Sequence, residues 1–254
     1  MKSTRETIQG TAVVYRRELA AYFDATIAYV YASAFLGLSC AIYMNSFFLN
    51  AKLEMTSFFD SLPFLFIPFV PAITMRLWAE ERAQRTFELL LTLPLQPVQI
   101  VAGKYLAAMT LFAIVLAGTF PIPTMLLWLG RPDMGLIIAG YVGSLLLGGQ
   151  FLAFGLFVSG LTRDQIVAFV LAALIGALFV LSGQDKVVEV LDGLVPDWAV
   201  GTFLYESLSV MPHFEAFTDG VVGLGHVAYF GSMIVFFVFM NLVTLRKVGG
   251  EFGD

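Results

Sequence analysis

The sequence predicts an all-α polytopic membrane protein, and three observations carry that prediction. Hydrophobic residues make up 59% of the 254-residue chain and charged residues 13%, where a soluble domain carries about 25% charge. Mean hydropathy is +0.85. The charges that exist are also gathered into short stretches separated by six long uncharged gaps.

The gaps run over residues 25–51, 61–75, 105–130, 134–162, 165–184 and 220–245. A helix needs about 20 apolar residues to cross a bilayer, and five of the six reach that length. The second is short. It extends into Phe58, Phe59, Leu77 and Trp78 and contains Pro63, Pro68 and Pro71, which predicts a kinked helix or one with a broken outer end. The resulting organisation is one transmembrane domain over 1–254. Spans are expected at 25–48, 58–78, 104–129, 134–160, 165–184 and 225–245. A helix over 1–24 precedes them, a charged loop over 80–97 follows the second, and an outer segment fills 185–224.

Basic residues give the orientation. With the N-terminus in the cytoplasm, eleven of the fourteen Lys and Arg fall inside, leaving only Lys52, Arg131 and Lys186 outside, as the positive-inside rule requires. Both termini are then cytoplasmic. The first apolar run follows more than twenty residues of charged sequence, which reads as an anchor rather than a cleaved signal.

Before the first span, Ile8, Ala12, Tyr15, Leu19 and Tyr22 recur at steps of four and three, with Arg16, Arg17 and Glu18 on the other side. This predicts an amphipathic helix along the membrane surface, against the plainer reading of a solvated lead-in. In the fourth span Ala139 and Gly143, Ser144 and Gly148, and Gly155 and Ser159 are each four apart, a spacing that lets backbones approach closely. It marks packing, either inside the bundle or between subunits. The outer segment carries seven acidic residues against Lys186 alone. Val187, Val188, Leu191 and Leu194 predict a short amphipathic helix there, and Trp198, Phe203 and Tyr205 suit an interfacial belt.

Composition excludes several classes of function. A net charge of −5 speaks against nucleic acid. The single Cys40 allows neither an internal disulfide nor a cysteine metal cluster. Gly103 and Lys104 are followed by Tyr105, and Val98 stands where a phosphate-binding loop needs its first glycine, so no ATP site is expected in this chain. No row of intramembrane charges marks an ion path. The apolar spans suit a lipid-like, hydrophobic or polypeptide cargo, and suit bilayer lipid equally.

The most informative stretch is 75–104, MRLWAEERAQRTFELLLTLPLQPVQIVAGK. Charge dominates its front half, Phe87, Glu88, Leu89, Leu90 and Leu91 form its middle, and Pro94 closes it before Pro97 opens the next helix. A short helix is implied on the cytoplasmic side. Its leucines either meet a soluble partner or pack on the ends of neighbouring spans.

In order and spacing, Glu80, Glu81, Arg82, Thr86, Glu88, Leu89, Leu90, Leu91, Thr92 and Pro94, with Gly103 and Lys104 beyond, resemble the coupling-helix region of ABC-2-type transporter permeases. Arg17, Glu18 and Leu19 with Tyr22 and Phe23 resemble the family's amphipathic start. Pro68, Pro71, Ala72, Met75 and Arg76 resemble its second span. The stretch from His213 to Val221 also resembles the family, and together these resemblances lean towards the branch near the gliding-motility-associated permease. Arg85 departs from the pattern, since the family commonly has Gly before the Thr. The resemblance implies a six-helix permease of type V exporter architecture that pairs with a second permease subunit. Each subunit would receive a cytoplasmic ABC ATPase that carries the ATP and Mg. Membrane lipid is a partner of such a chain, and an auxiliary periplasmic or membrane subunit is a further one the family admits. Carried over, Glu80, Glu81, Arg82, Arg85, Thr86, Glu88, Leu89, Leu90 and Thr92 form or support the ATPase contact. Arg163 and Asp164 form either a second contact or only a solvated cap.

Two rivals remain at this point. Glu80, Glu81 and Arg85 also match the EExxxR pattern of intramembrane CAAX-type proteases, whose glutamates activate water near a histidine. The chain has two histidines, His213 and His226; His213 is predicted across the bilayer from Glu80, and whether Glu80 and either histidine lie on the same side decides the matter. The other rival is an anchoring protein without transport, for which a docking helix would have no use.

Overall fold

The computed structural model describes residues 4–84, 95–194 and 200–250, and every described element is helical. In chain order these are α1 (Thr4–Asp24), α2 (Thr26–Asn50), α3 (Thr56–Thr74), α4 (Arg76–Ala83), α5 (Pro97–Ala117) and α6 (Pro121–Leu129). After them come α7 (Met134–Leu161), α8 (Gln165–Leu181), α9 (Asp185–Leu194), α10 (Val200–Leu208), α11 (Met211–Thr218) and α12 (Leu224–Gly250).

Among the described residues five runs are long and apolar enough to cross a membrane: Ala28–Asn50, Thr56–Ala83, Pro97–Leu129, Met134–Leu161 and Leu224–Leu245. A sixth follows if Gln165–Leu181 is counted with Asp185–Gly193, from which it is bent by 89°. The all-α polytopic class is therefore as the charge gaps predicted.

α7 is the hub. It packs against α3, α4, α5, α8, α11 and α12, and its small residues explain how one helix meets so many neighbours. A Cβ at Gly143 would stand 2.6 Å from that of Phe217, one at Gly148 would overlap the Phe112 ring, and one at Gly155 would overlap Thr74. The four-residue spacing thus serves contacts within this chain. Aromatic edges fill the clefts so made. Phe66 meets Phe112 at 5.2 Å and Phe59 meets Tyr141 at 5.4 Å, both edge-to-face, a favoured geometry for buried rings.

The second span carries a discontinuity, though not at the end where a break was one of the two expected forms. Thr56–Thr74 is continuous through its three prolines, so its outer end is not broken; the interruption falls at Met75, at the opposite end. The Ser159 side chain of α7 enters the backbone ladder there. Its hydroxyl donates to the Met75 carbonyl at 2.9 Å and accepts from the Trp78 and Ala79 N–H groups, both at 3.2 Å. A side chain inserted into the ladder is a recognised cause of a helix discontinuity. The third span begins at Pro97 rather than near 104, behind a Gln96–Gln99 capping box. It is interrupted between Ala117 and Pro121, because Pro121 lacks the N–H a continuous helix needs.

The expected amphipathic helix of the outer segment is α9, with Val187, Val188 and Leu191 half-buried. Its Asp192 carboxylate accepts from Gly201 N–H and Thr202 N–H and takes the Thr202 hydroxyl at 2.7 Å, tying α9 to α10. Phe203 is exposed, and Trp198 lies outside the described residues.

Candidate functional site

Of the residues singled out from the sequence, Glu18, Glu80, Glu81, Arg82, Arg163 and Asp164 gather at one end of the bundle. α3 and α4 form a single run whose far end carries Asp60 and whose near end carries Glu80, Glu81 and Arg82. Twenty residues of helix separate Asp60 from Glu80, about 30 Å. At the near end stand Arg76, Arg82, Lys104 and Arg163; at the far end Asp60, Asp185, Glu215 and Asp219 lie close enough to act on one another electrostatically. The bundle has a basic end and an acidic end.

The best-defined feature of the basic end is a lysine. Lys104 sits in the second turn of α5 with its side chain 1% exposed. Its ammonium donates to Glu81 Oε1 at 2.9 Å, to the Leu77 carbonyl at 2.8 Å and to Glu18 Oε1 at 3.0 Å. It also lies 4.9 Å from the centre of the Trp78 ring, within cation–π range. An ammonium has three protons to donate, and all three are used. Arg17 bridges the same two carboxylates from the solvent side, 2.6 Å from Glu18 and 3.0 Å from Glu81. Two cations and two anions cancel, as a group withdrawn from water requires. Burial pushes the Glu18 carboxyl up, but Lys104 and Arg17 outweigh it and hold it below the ordinary carboxylate range.

Local packing brings these ions together. α1 lies along α5, where Gly103 has no side chain to fend it off: a Cβ there would be 2.7 Å from Val14 Cβ. Val14 and Tyr22 are the buried residues of α1, and Glu18 lies on the same face, one turn from each. Tyr15, Leu19 and Tyr22 of the predicted strip pack on the core as expected, and the departures are at two positions. Arg16 and Arg17 are exposed as expected, while Glu18 is turned into the protein and Ile8 is exposed. Ile8 lines an apolar cleft of about 560 Å³ between α1 and α5, with Thr7, Thr11, Ala12, Tyr15, Leu106 and Thr110. Further along α1, the buried Tyr22 hydroxyl donates to the Ile73 carbonyl at 3.0 Å, and the Arg76 guanidinium lies 5.1 Å from the Tyr22 ring centre.

The other predicted residues fall as follows. Glu80 faces outward and pairs with Arg76 at 3.6 Å. Glu81 faces the lysine. Arg82 is close enough to Arg163 for the two guanidiniums to repel. Asp164 caps α8, accepting from Ile166 N–H at 2.7 Å and Val167 N–H at 3.3 Å, while Arg163 beside it is exposed. Arg85, Thr86, Glu88, Leu89, Leu90 and Thr92 lie outside the described residues.

The histidines lie at the acidic end. His213 Nδ1 and His226 Nδ1 are 3.0 Å apart, and the His213 ring stacks on Tyr229 at 3.9 Å. Glu215, one turn fragment beyond His213, is acted on by Asp60, so the pair is some 30 Å of helix from Glu80. No glutamate–histidine water-activating site is assembled from these residues, and the protease-like reading falls. Sequence reasoning missed both the histidine pair and the role of Lys104. The available signals were the chain's two lone histidines and a lysine inside an otherwise apolar helix.

A helical, multi-pass membrane protein with its charged segments concentrated at two opposed ends is the class that this fold and site define. The family model described as ABC-2 family transporter protein matches residues 42–194. That is more than half of the chain, which belongs to this family of membrane transport components. No curated protein matches it. Membership implies an ABC ATPase subunit as partner.

Proposed function

We propose that this chain is the permease subunit of an ABC transporter of the bacterial cytoplasmic membrane, and that the segment from Glu80 to Thr92 receives the ATPase. Family membership supports the first half. The observation that carries the second is the anchoring of the helix leading into that segment. α4 is joined to α7 through Ser159 and to α1 and α5 through Glu81 and Lys104. A push delivered beyond Glu81 therefore enters the bundle at two fixed points. ATP and Mg belong to the partner, whose cycle shifts the bundle between inward-closed and outward-open arrangements.

In this reading Glu80, Arg82 and Arg163 set register at a wet rim and the leucines supply burial. The basic end is cytoplasmic, both termini with it, and two permease subunits pair in the type V exporter manner. The narrower gliding-motility branch rests on the sequence resemblances taken together. The test is co-purification of the co-expressed cognate ATPase. Glu88→Arg is expected to abolish the association while membrane insertion is kept; an intact complex would reject the interface.

A further inference from the structure

We propose that Lys104 is the positioning residue of the coupling segment: its ammonium fixes the end of α4 against α1 and α5, so that the three move as one body.

The argument starts from cost. A cation in a 1% exposed position is tolerated only when its partners are held in place, and removing one partner of such a set leaves an uncompensated buried charge. The partners of Lys104 come from two different elements, Glu18 of α1 and Glu81 with the Leu77 carbonyl of α4. Charge-assisted bonds of 2.8–3.0 Å tolerate little displacement, whereas leucine contacts slide. α4 is only eight residues long. With Ser159 holding Trp78 and Ala79 at one point and Lys104 holding Leu77 and Glu81 at another, both ends of its short middle are defined. Arg17, with a half-exposed side chain, closes the outer side and makes the four-ion set neutral.

The purpose assigned to this joint rests on the coupling reading above, but the positioning is tested on the full chain alone. In a Cys40→Ser background, spin labels go on the exposed positions Gln84 and Val13, and a reference pair goes on the exposed Leu174 and Val235. Distances are measured by double electron–electron resonance in lipid nanodiscs. A narrow 84–13 distribution is expected to be lost with Lys104→Met while the reference pair is unchanged. It is expected to be lost likewise with Glu18→Gln, which leaves Lys104 in place and removes the charge of its α1 partner. An unchanged 84–13 distribution in Lys104→Met or in Glu18→Gln overturns the proposal. If Lys104→Met also disturbs the reference pair, Glu81→Gln decides: broadening supports the joint and no change overturns it. Failure of the docking reading shows separately, as an ATPase complex that survives Glu88→Arg.

Discussion

Gly103→Ala is the smallest change that tests how α1 is seated. The added Cβ would stand 2.7 Å from Val14 Cβ, 2.8 Å from Val14 Cγ1 and 3.1 Å from the Thr11 carbonyl oxygen. Carbon atoms pack best at about 3.5–4.0 Å, so α1 must withdraw by about 1 Å. Neither neighbour yields easily, because Val14 is β-branched and rotamer-restricted in a helix and Thr11 offers backbone. Overpacking of this kind costs about 1–3 kcal/mol. The same withdrawal stretches the 3.0 Å contact from Lys104 to Glu18, one residue along α5 and one turn along α1, which adds to the loss. Gly231→Ala is the control. Nothing lies within 4 Å of its Cβ, and alanine favours a helix over glycine by about 1 kcal/mol. The two substitutions are therefore expected to move stability in opposite directions. Thermal midpoints of the fluorescently tagged protein in detergent, read by size-exclusion chromatography, measure both. A Gly103→Ala protein as stable as Gly231→Ala would refute the close seating of α1 on α5.

Three further outcomes are expected. Ser159→Ala strips the Trp78 and Ala79 N–H groups and the Met75 carbonyl of their shared partner and should cost about 1–3 kcal/mol for the buried groups left unpaired, measured as the same thermal midpoint. Asp164→Ala removes the cap of α8 and should cost about 1 kcal/mol; no change would mean that the cap contributes nothing to stability. Burial, then the His226 charge, hold His213 below the ordinary imidazole value, so the unfolded chain takes up that proton first. The stability contributed by neutral His213 is thus complete above about pH 6.5 and is lost as pH falls below it. A midpoint-versus-pH curve should flatten in this range with His213→Asn; an unaltered slope would remove the pair from the account.

The spans were legible because lipid excludes charge: the gap over 134–162 returned as Met134–Leu161 and that over 220–245 as most of α12. Their small-residue spacing was legible too, but not its partners, since whether Gly148 faces Phe112 or another subunit depends on where a helix 36 residues away comes to rest. The candidate site was half legible. Composition counted Lys104 as one more basic residue marking an end; its place inside an apolar helix sets it apart from Arg163, which is exposed in a turn, but does not name its partners. The partnership arises only when Glu18, 86 residues distant, and Glu81, 23 distant, arrive on the same face. The α1 periodicity was legible in part for the same reason. Tyr15, Leu19 and Tyr22 of the strip pack on the core, but Gly103 also admits Val14 and Lys104 draws in Glu18, which widens the buried face beyond the apolar strip.

An ionic joint is an odd choice if stability were the only demand, because a buried ion set is often no more stabilising than well-packed apolar residues of similar volume. Its distinctive property is registration. An apolar α4 could slip or rotate against α5 and still bury its side chains, whereas Glu81 reaches Lys104 at one rotation and one height. Slippage is the failure that matters for a short helix expected to take a push along its length. The neighbouring contacts agree with this: Ser159 fixes the height of α4 on α7, and Tyr22 holds the Ile73 carbonyl just before the break. All three devices use directional bonds, and all three surround Met75. The apolar contacts that bury most of α3, by contrast, lie between that break and the acidic end. Directional bonds at the basic end and side-chain packing beyond it divide the span into a part that is registered and a part that is free to repack, which is the division a helix needs if it is to carry displacement without losing alignment.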